Sequence, residues 1–398
     1  MDGTGWDLAA VRARFPALAA TDPHGRPVVH ADAPGGTQAV DVAIDAVAEV
    51  LRTGTANQHG VFPLSQRTDA LVAQVRSQVA AFLGGAPEGV VFGPNMTTLT
   101  LHLAEALEPR VRPGDNVVCT QLDHDANVAP WLQLAARVGA EVRWVPLDPA
   151  TGRLRTAHLD EVVDARTRLL AFPGASNALG TLVDPAPFVA AARAVGAVTV
   201  MDAVHAAPHI TIDHRALGVD VVACSPYKFF GPHAGILVAD PELLAALSPR
   251  KLRPAPDHGP ERWQTGTASF EAIAGTGAAI AYLTQVGMDT VAAYEAALTA
   301  RFLDGLATRG HVTLHGPPTG VERTPTFAVT VDGRAPQAVA RQLAGEGINA
   351  WAGHYYALEP MRALGLLERG GAVRIGFVHY HGPDDVDRVL AALDTAAG

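Results

Sequence analysis

The stretch "VDVVACSPYKFFGPHAGILVAD" occupies residues 219–240. Its two apolar ends, 219–225 and 234–240, have the length and composition of buried β-strands. The loop between them sets aromatics, glycines and a proline around Lys228, and the thirteen residues 223–235 hold no other charged side chain. A cation placed in such surroundings loses water, and desolvation favours the neutral amine. The amine of a buried lysine is a nucleophile for carbonyl carbons.

Working outward, apolar runs of the same kind recur at 89–93, 116–120, 141–147, 168–174 and 197–203, separated by Ala/Leu-rich helical patterns such as "TTLTLHLAEAL" and "DPAPFVAAARAVG". With 219–225 and 234–240 they predict an α/β fold: a mostly parallel seven-stranded sheet with helices on both faces. Ligands of such sheets gather at the carboxyl ends of the strands. A Pro/Gly-rich stretch at 249–267 interrupts the rhythm, and two long helices are expected over about 271–287 and 290–309. The remaining order, β-α-β-β-α, reads as a smaller α+β domain. The expected division is an N-terminal segment, 1–28, packing with the small domain, a large domain over 29–285, and a small domain over 286–398.

Composition narrows the function. A 398-residue chain with 48% hydrophobic and 18% charged residues suits a packed globular protein. Its formal charge of −10 lacks the basic footprint of a nucleic-acid binder. No apolar stretch reaches the length of a membrane span, and two cysteines supply neither a disulfide framework nor a zinc cluster. The opening "MDGTGWDLAAVRARFPAL" shows no secretion signal, so a cytoplasmic protein that binds neither metal, membrane nor nucleic acid is expected.

The strand ends carry the chemistry. Asp202 closes "AVTVMD" and is either a turn cap or a buried partner for a cation. Thr97 and Thr98 open a helix after "GVVFGPNM". They are either simple N-caps or part of an anion site at a helix start. His124 follows "NVVCTQL", where an imidazole could stack on a ring or carry a proton. A lysine that forms an imine and a carboxylate that pairs a pyridinium are the division of labour in pyridoxal phosphate enzymes.

These ordered motifs resemble fold-type I, class V pyridoxal phosphate enzymes of the cysteine desulfurase type, over nearly the whole chain. The resemblance implies that "SPYKFFGP" supplies Lys228 as Schiff-base lysine and Ser225 as phosphate ligand. It implies that "MDAVH" places Asp202 on the pyridine nitrogen and His205 near the phenolic oxygen. Thr97 and Thr98 would hold phosphate, His124 would stack on the cofactor ring, and Asn177 would face the cofactor oxygen and the substrate carboxylate. Gly266 and Thr267 of "TGTASF" would reach the phosphate of a neighbouring subunit, which implies a homodimer. Arg374 of "AVRIGF" would grip an amino-acid carboxylate, and His59 of "NQHGVF" would line the site.

One departure bears on the reaction. Desulfurases of this type accept sulfur on a loop cysteine, and "GHYYALEPMRALG" has Tyr355 and Tyr356 where that cysteine is expected. Tyr227, before the lysine, stands where histidine is usual. Cys119 and Cys224 fall in strand-like apolar runs, which suit buried structural residues. The resulting expectation is C–S cleavage by β-elimination on cysteine or an S-substituted cysteine without an enzyme persulfide. In that reaction Tyr355, Tyr356 or Tyr227 could protonate the leaving sulfur. Transamination, epimerisation or decarboxylation of another amino acid stays open, as does a non-catalytic pyridoxal phosphate-binding protein. Arg253, His258 and Arg262 of the 249–267 stretch are expected to help select the substrate.

Overall fold

The computed structural model describes residues 6–396. Seven strands form the large sheet: β1 (Val90–Gly93), β2 (Asn116–Thr120), β3 (Glu141–Val145), β4 (Thr167–Pro173), β5 (Val198–Asp202), β6 (Val221–Cys224) and β7 (Gly235–Ala239). Their order is β1-β7-β6-β5-β4-β2-β3. All run parallel except β7, which lies antiparallel to both β1 and β6. Each strand falls on an apolar run read from the sequence.

Alternation along the strands divides the core between the two faces of the sheet. Val91, Val117, Leu169, Val200 and Leu237 face Leu103, Leu134 and Trp131 of the helices after β1 and β2. Phe92, Val118, Phe172, Met201 and Ile236 face the opposite layer, with Val79, Phe188 and Ile280. A sheet covered on both sides needs apolar residues at nearly every strand position, which explains the unbroken runs. The register sets Pro173, Asp202 and Ala223 side by side, so β4, β5 and β6 deliver their carboxyl ends to one line.

Helices expected near 271–287 and 290–309 occupy Phe270–Val286 and Met288–Ala307. Gly287, at φ +87°, makes the turn between them, a conformation that favours glycine. Beyond lies a four-stranded antiparallel sheet of β8 (Val312–His315), β9 (Thr326–Val331), β10 (Trp351–Gly353) and β11 (Ala372–Gly376), ordered β8-β9-β11-β10. Strand β8 was not expected. It is a four-residue edge strand whose last three residues are only partly covered, so its hydrophobic signal is weak.

Of the N-terminal segment, residues 1–5 lie outside the described residues. Trp6 stacks on Tyr294 with ring centroids 4.6 Å apart, and Arg12 pairs with Asp385 at 3.0 Å. Phe15 packs edge-on against Phe230 of the lysine loop at 5.5 Å, so the segment touches both cores. No helix among the described residues is long and apolar enough to cross a membrane.

Candidate active site

Asp202 ends β5 with 5% of its surface exposed, and its Oδ1 accepts the Val204 amide proton at 2.8 Å. It is therefore a turn cap and a buried carboxylate at once. Burial pushes its pKa up to about 6, opposed by the Val204 amide and the Lys228 charge. Lys228 follows β6 in the single 3-10 turn Pro226–Lys228. It is 9% exposed, and its ammonium donates to the Pro34 carbonyl at 2.5 Å. Burial first, then the Arg374 charge, bring its pKa down to about 7, with Asp202 acting the other way. Near neutral pH the amine is substantially unprotonated, as the crowded loop implied.

Both residues line a narrow cavity of about 80 Å³, together with Thr97, His124, His205 and Ser225. Asn177 belongs to it as well, and the cavity continues into a wider one of about 930 Å³ on which Arg374 and Tyr355 lie. Side chains from five strand ends of the large sheet thus meet Arg374 of the small sheet in one cleft. His124 Nδ1 accepts the Ala126 amide at 3.0 Å, which leaves the other ring nitrogen to carry the proton. Burial, then the Lys228 and Arg374 charges, lower its pKa to about 4, so the ring is neutral. His205 is also held neutral, chiefly by burial, and its Nε2 lies 3.0 Å from the Thr326 hydroxyl and 3.2 Å from that of Thr324.

Arg374, in β11, donates to the Asn177 carbonyl at 2.8 Å. Its guanidinium carbon lies 4.6 Å from the centre of the Tyr355 ring. Burial lowers its pKa to about 10, which leaves it cationic at neutral pH. The Tyr355 hydroxyl donates to the Ala372 carbonyl. That bond commits the phenol and removes Tyr355 from the candidate proton donors. Tyr356 is 67% exposed and stacks on His124 with centroids 5.6 Å apart. Tyr227 lies on both cavities, with the Lys228 ammonium 5.0 Å from its ring centre.

Three expectations meet a different geometry in this chain. The helix after β1 spans Met96–Leu107, and Asn95 is its N-cap, with Oδ1 accepting the Thr98 amide at 2.8 Å. Asn95, Met96 and Thr97 line the lysine cavity, whereas Thr98 turns to a separate cavity of about 210 Å³. Gly266 and Thr267 lie on that second cavity beside Thr98; the reach expected of them is to a neighbouring subunit, not to this chain's Lys228. His59 lies outside the lysine cavity: Asp69 accepts its backbone amide at 3.2 Å, and its imidazole is 75% exposed. Arg262 donates to the carbonyls of Ala245 and Leu247, and neither it, Arg253 nor His258 borders the cleft. Cys119 and Cys224 are fully buried, and burial pushes both thiols well up.

Sequence reading missed Asn95 and Met96, hidden by the more conspicuous threonine pair. It also missed Trp351 and His354, which join the cleft from the small sheet and its following loop. No local pattern flags them, since the fold alone brings them near Lys228.

Residues 29–389 match the Aminotransferase class-V family. The chain belongs to this family. A cysteine desulfurase of Enterobacter sp. (strain 638) is 34% identical over 399 residues, covering 96% of each chain. A probable cysteine desulfurase 2 of Mycobacterium leprae is 32% identical over 97% of this chain and 96% of its own. The crystal structure of cysteine desulfurase CsdA (S-sulfonic acid) from Escherichia coli superposes with a TM-score of 0.87 at 27% identity, over 98% of both chains.

Class V proteins of this kind depend on pyridoxal phosphate, and the cleft fits that cofactor. Asn177 Oδ1 and Arg374 Nε are buried without hydrogen-bond partners, a costly state that a ligand relieves. The Met96 amide donates to Ser225 Oγ at 3.1 Å, which holds the serine at the start of a helix, where phosphate is favoured. A neutral imidazole, a buried carboxylate and a low-pKa amine complete the set.

Proposed function

We propose that this class V protein catalyses pyridoxal phosphate-dependent C–S cleavage of cysteine or an S-substituted cysteine by β-elimination, releasing the sulfur directly rather than onto an enzyme thiol. With water, cysteine would yield pyruvate, ammonia and sulfide. The observation that carries this reading is the position of the two thiols. Cys119 and Cys224 lie at 0% exposure inside β2 and β6, while Tyr355 and Tyr356 occupy the loop that borders the cleft.

The bound cofactor would act as electron sink for the substrate α-carbon. Lys228 would carry it and, as a neutral amine, take the α-proton. Asp202 would pair the pyridine nitrogen, His124 would cover one ring face, and His205 and Asn177 would flank the ring. Thr97 and Ser225, the latter held by the Met96 amide at the start of the helix, would receive the phosphate. Arg374 would fix the substrate carboxylate. Tyr227, beside Lys228 with its hydroxyl uncommitted to a carbonyl, is the better placed phenol to protonate the departing sulfur.

The working unit on this reading is a cytoplasmic homodimer, in which Gly266 and Thr267 of one copy, with Thr98 beside them, complete the phosphate site of the other. The test is incubation of holoenzyme with L-cysteine and with an S-alkyl cysteine. Pyruvate formed in step with sulfide or thiol supports the reading. Keto acid that appears only with an added amino acceptor would assign transamination instead, and an unchanged cofactor spectrum with every amino acid would leave a binding protein.

A further inference from the structure

The wider cavity is far larger than cysteine requires. Its roughly 930 Å³ lies at the upper end of the range that encloses drug-sized ligands, and the cofactor's share lies at the inner end, by Lys228. Outward from Arg374 the character of the walls changes. Nine large hydrophobic side chains are exposed among the described residues, and three of them, Leu101, Trp351 and Tyr356, border this one cavity. Such clustering marks a contact surface rather than scattered exposure.

Charge on the outer walls points the same way. Lys228 and Arg374 are the only lysine or arginine among the lining residues, and both belong to the inner end. The one acid, Asp125, stands at the outer part, with the neutral amides of Gln133 and Gln337 at the edge. An anionic substituent would find no further lysine or arginine there, only the His354 imidazole, and would meet Asp125.

The backbone at the mouth is also specialised. Tyr355 and Tyr356 are consecutive non-glycine residues at φ +51° and +57°, a sparsely populated conformation that persists where surrounding structure enforces it. Two donors from the large domain do so. Asn177 Nδ2 binds the Tyr355 carbonyl at 3.0 Å, and the Asp125 amide binds that of Tyr356 at 2.6 Å. The result presents the Tyr356 ring flat against His124, across the cleft mouth.

We propose that the substrate's sulfur carries an aromatic or bulky apolar group, received between Tyr356, Trp351 and Leu101. This rests on the lyase reading above and names its substrate class. The reaction is then elimination of an uncharged thiol: the Cβ–S bond breaks, the sulfur takes the bonding pair and a proton, and hydrolysis of the remainder gives pyruvate and ammonia.

The test compares kcat/KM of holoenzyme for S-benzyl-L-cysteine, S-carboxymethyl-L-cysteine and L-cysteine, in wild type, Trp351→Ala and Tyr356→Ala. Binding of 3-(benzylthio)propanoate, which has the carboxylate and the apolar group but no amine to react, is measured by calorimetry. The expected result is a preference for the benzyl compound that falls about tenfold relative to L-cysteine in each variant, with a matching loss of propanoate affinity. Preference for L-cysteine or the carboxymethyl compound, or a ratio unmoved by both substitutions, overturns the subsite. Sedimentation showing that Trp351→Ala dissociates an assembly would overturn it too, by making the patch a subunit contact. If no compound yields pyruvate while the propanoate still binds in a Trp351-dependent way, the subsite stands and the lyase reading fails.

Discussion

The Tyr355 ring lies 4.6 Å from the guanidinium carbon of Arg374, and the same tyrosine's hydroxyl is donated to the Ala372 carbonyl, two residues before that arginine in β11. The phenol therefore braces Arg374 from its face and its own strand. Buried cation–π contacts contribute on the order of 2 kcal/mol. Tyr355→Ala should raise KM for an amino-acid substrate by about tenfold or more, with a smaller change in kcat. Arg374→Ala should weaken amino-acid binding far more than cofactor binding. Steady-state kinetics with a cofactor titration checks both, and equal losses of substrate and cofactor affinity would count against the carboxylate role.

Lys228 offers a spectroscopic and a pH prediction. Lys228→Ala should abolish the visible absorption of lysine-bound cofactor in dialysed protein. In the wild type, the free value of 10.5 drops to about 7 on folding, so the fraction of neutral amine rises as pH passes upward through about 7. Incorporation of pyridoxal phosphate into apoprotein should accelerate through that window and level off above it. A rate that rises only near pH 10 would mean that the ammonium is solvated.

Asp202 links the site to stability. Its pKa rises from 3.8 to about 6 on folding, chiefly through burial. A raised carboxyl stabilises the fold below about pH 4, and that contribution is lost as pH rises through about 6. The shift corresponds to about 3 kcal/mol. In apoprotein at pH 8, Asp202→Asn should therefore raise stability by up to about 3 kcal/mol, with little effect near pH 4, while cofactor-dependent activity falls. Denaturant titrations at the two pH values measure this. A variant less stable than wild type at pH 8 would contradict it.

How far the sequence foretold this arrangement varies by residue. The seven strands were legible because a sheet buried on both faces demands near-continuous apolar runs, and Asp202, His124 and Lys228 stood out as polar residues at the ends of such runs. Strand β8 was not legible, since an edge strand with three partly covered residues has little pattern to read. The helix start after β1 was misplaced because Asn95 caps it, a role that two threonines further on also suit. His59 matched by local motif, but Asp69 on the next helix anchors its backbone and leaves the ring in solvent. Trp351 and His354 depend on how the small sheet meets the large one, which no short stretch encodes.

On the mechanism proposed above, sulfur leaves without passing through an enzyme thiol. The most direct measurement is turnover of L-cysteine and S-benzyl-L-cysteine by holoenzyme carrying Cys119→Ala and Cys224→Ala together, with thermal unfolding and the cofactor spectrum recorded in parallel. Each buried cysteine packs as a small hydrophobe, so a modest loss of stability is expected. Pyruvate formation within about twofold of wild type, with sulfide or thiol in equal amount, is the predicted result. Loss of turnover in a folded protein that retains its cofactor spectrum would contradict the account and restore a thiol to the mechanism.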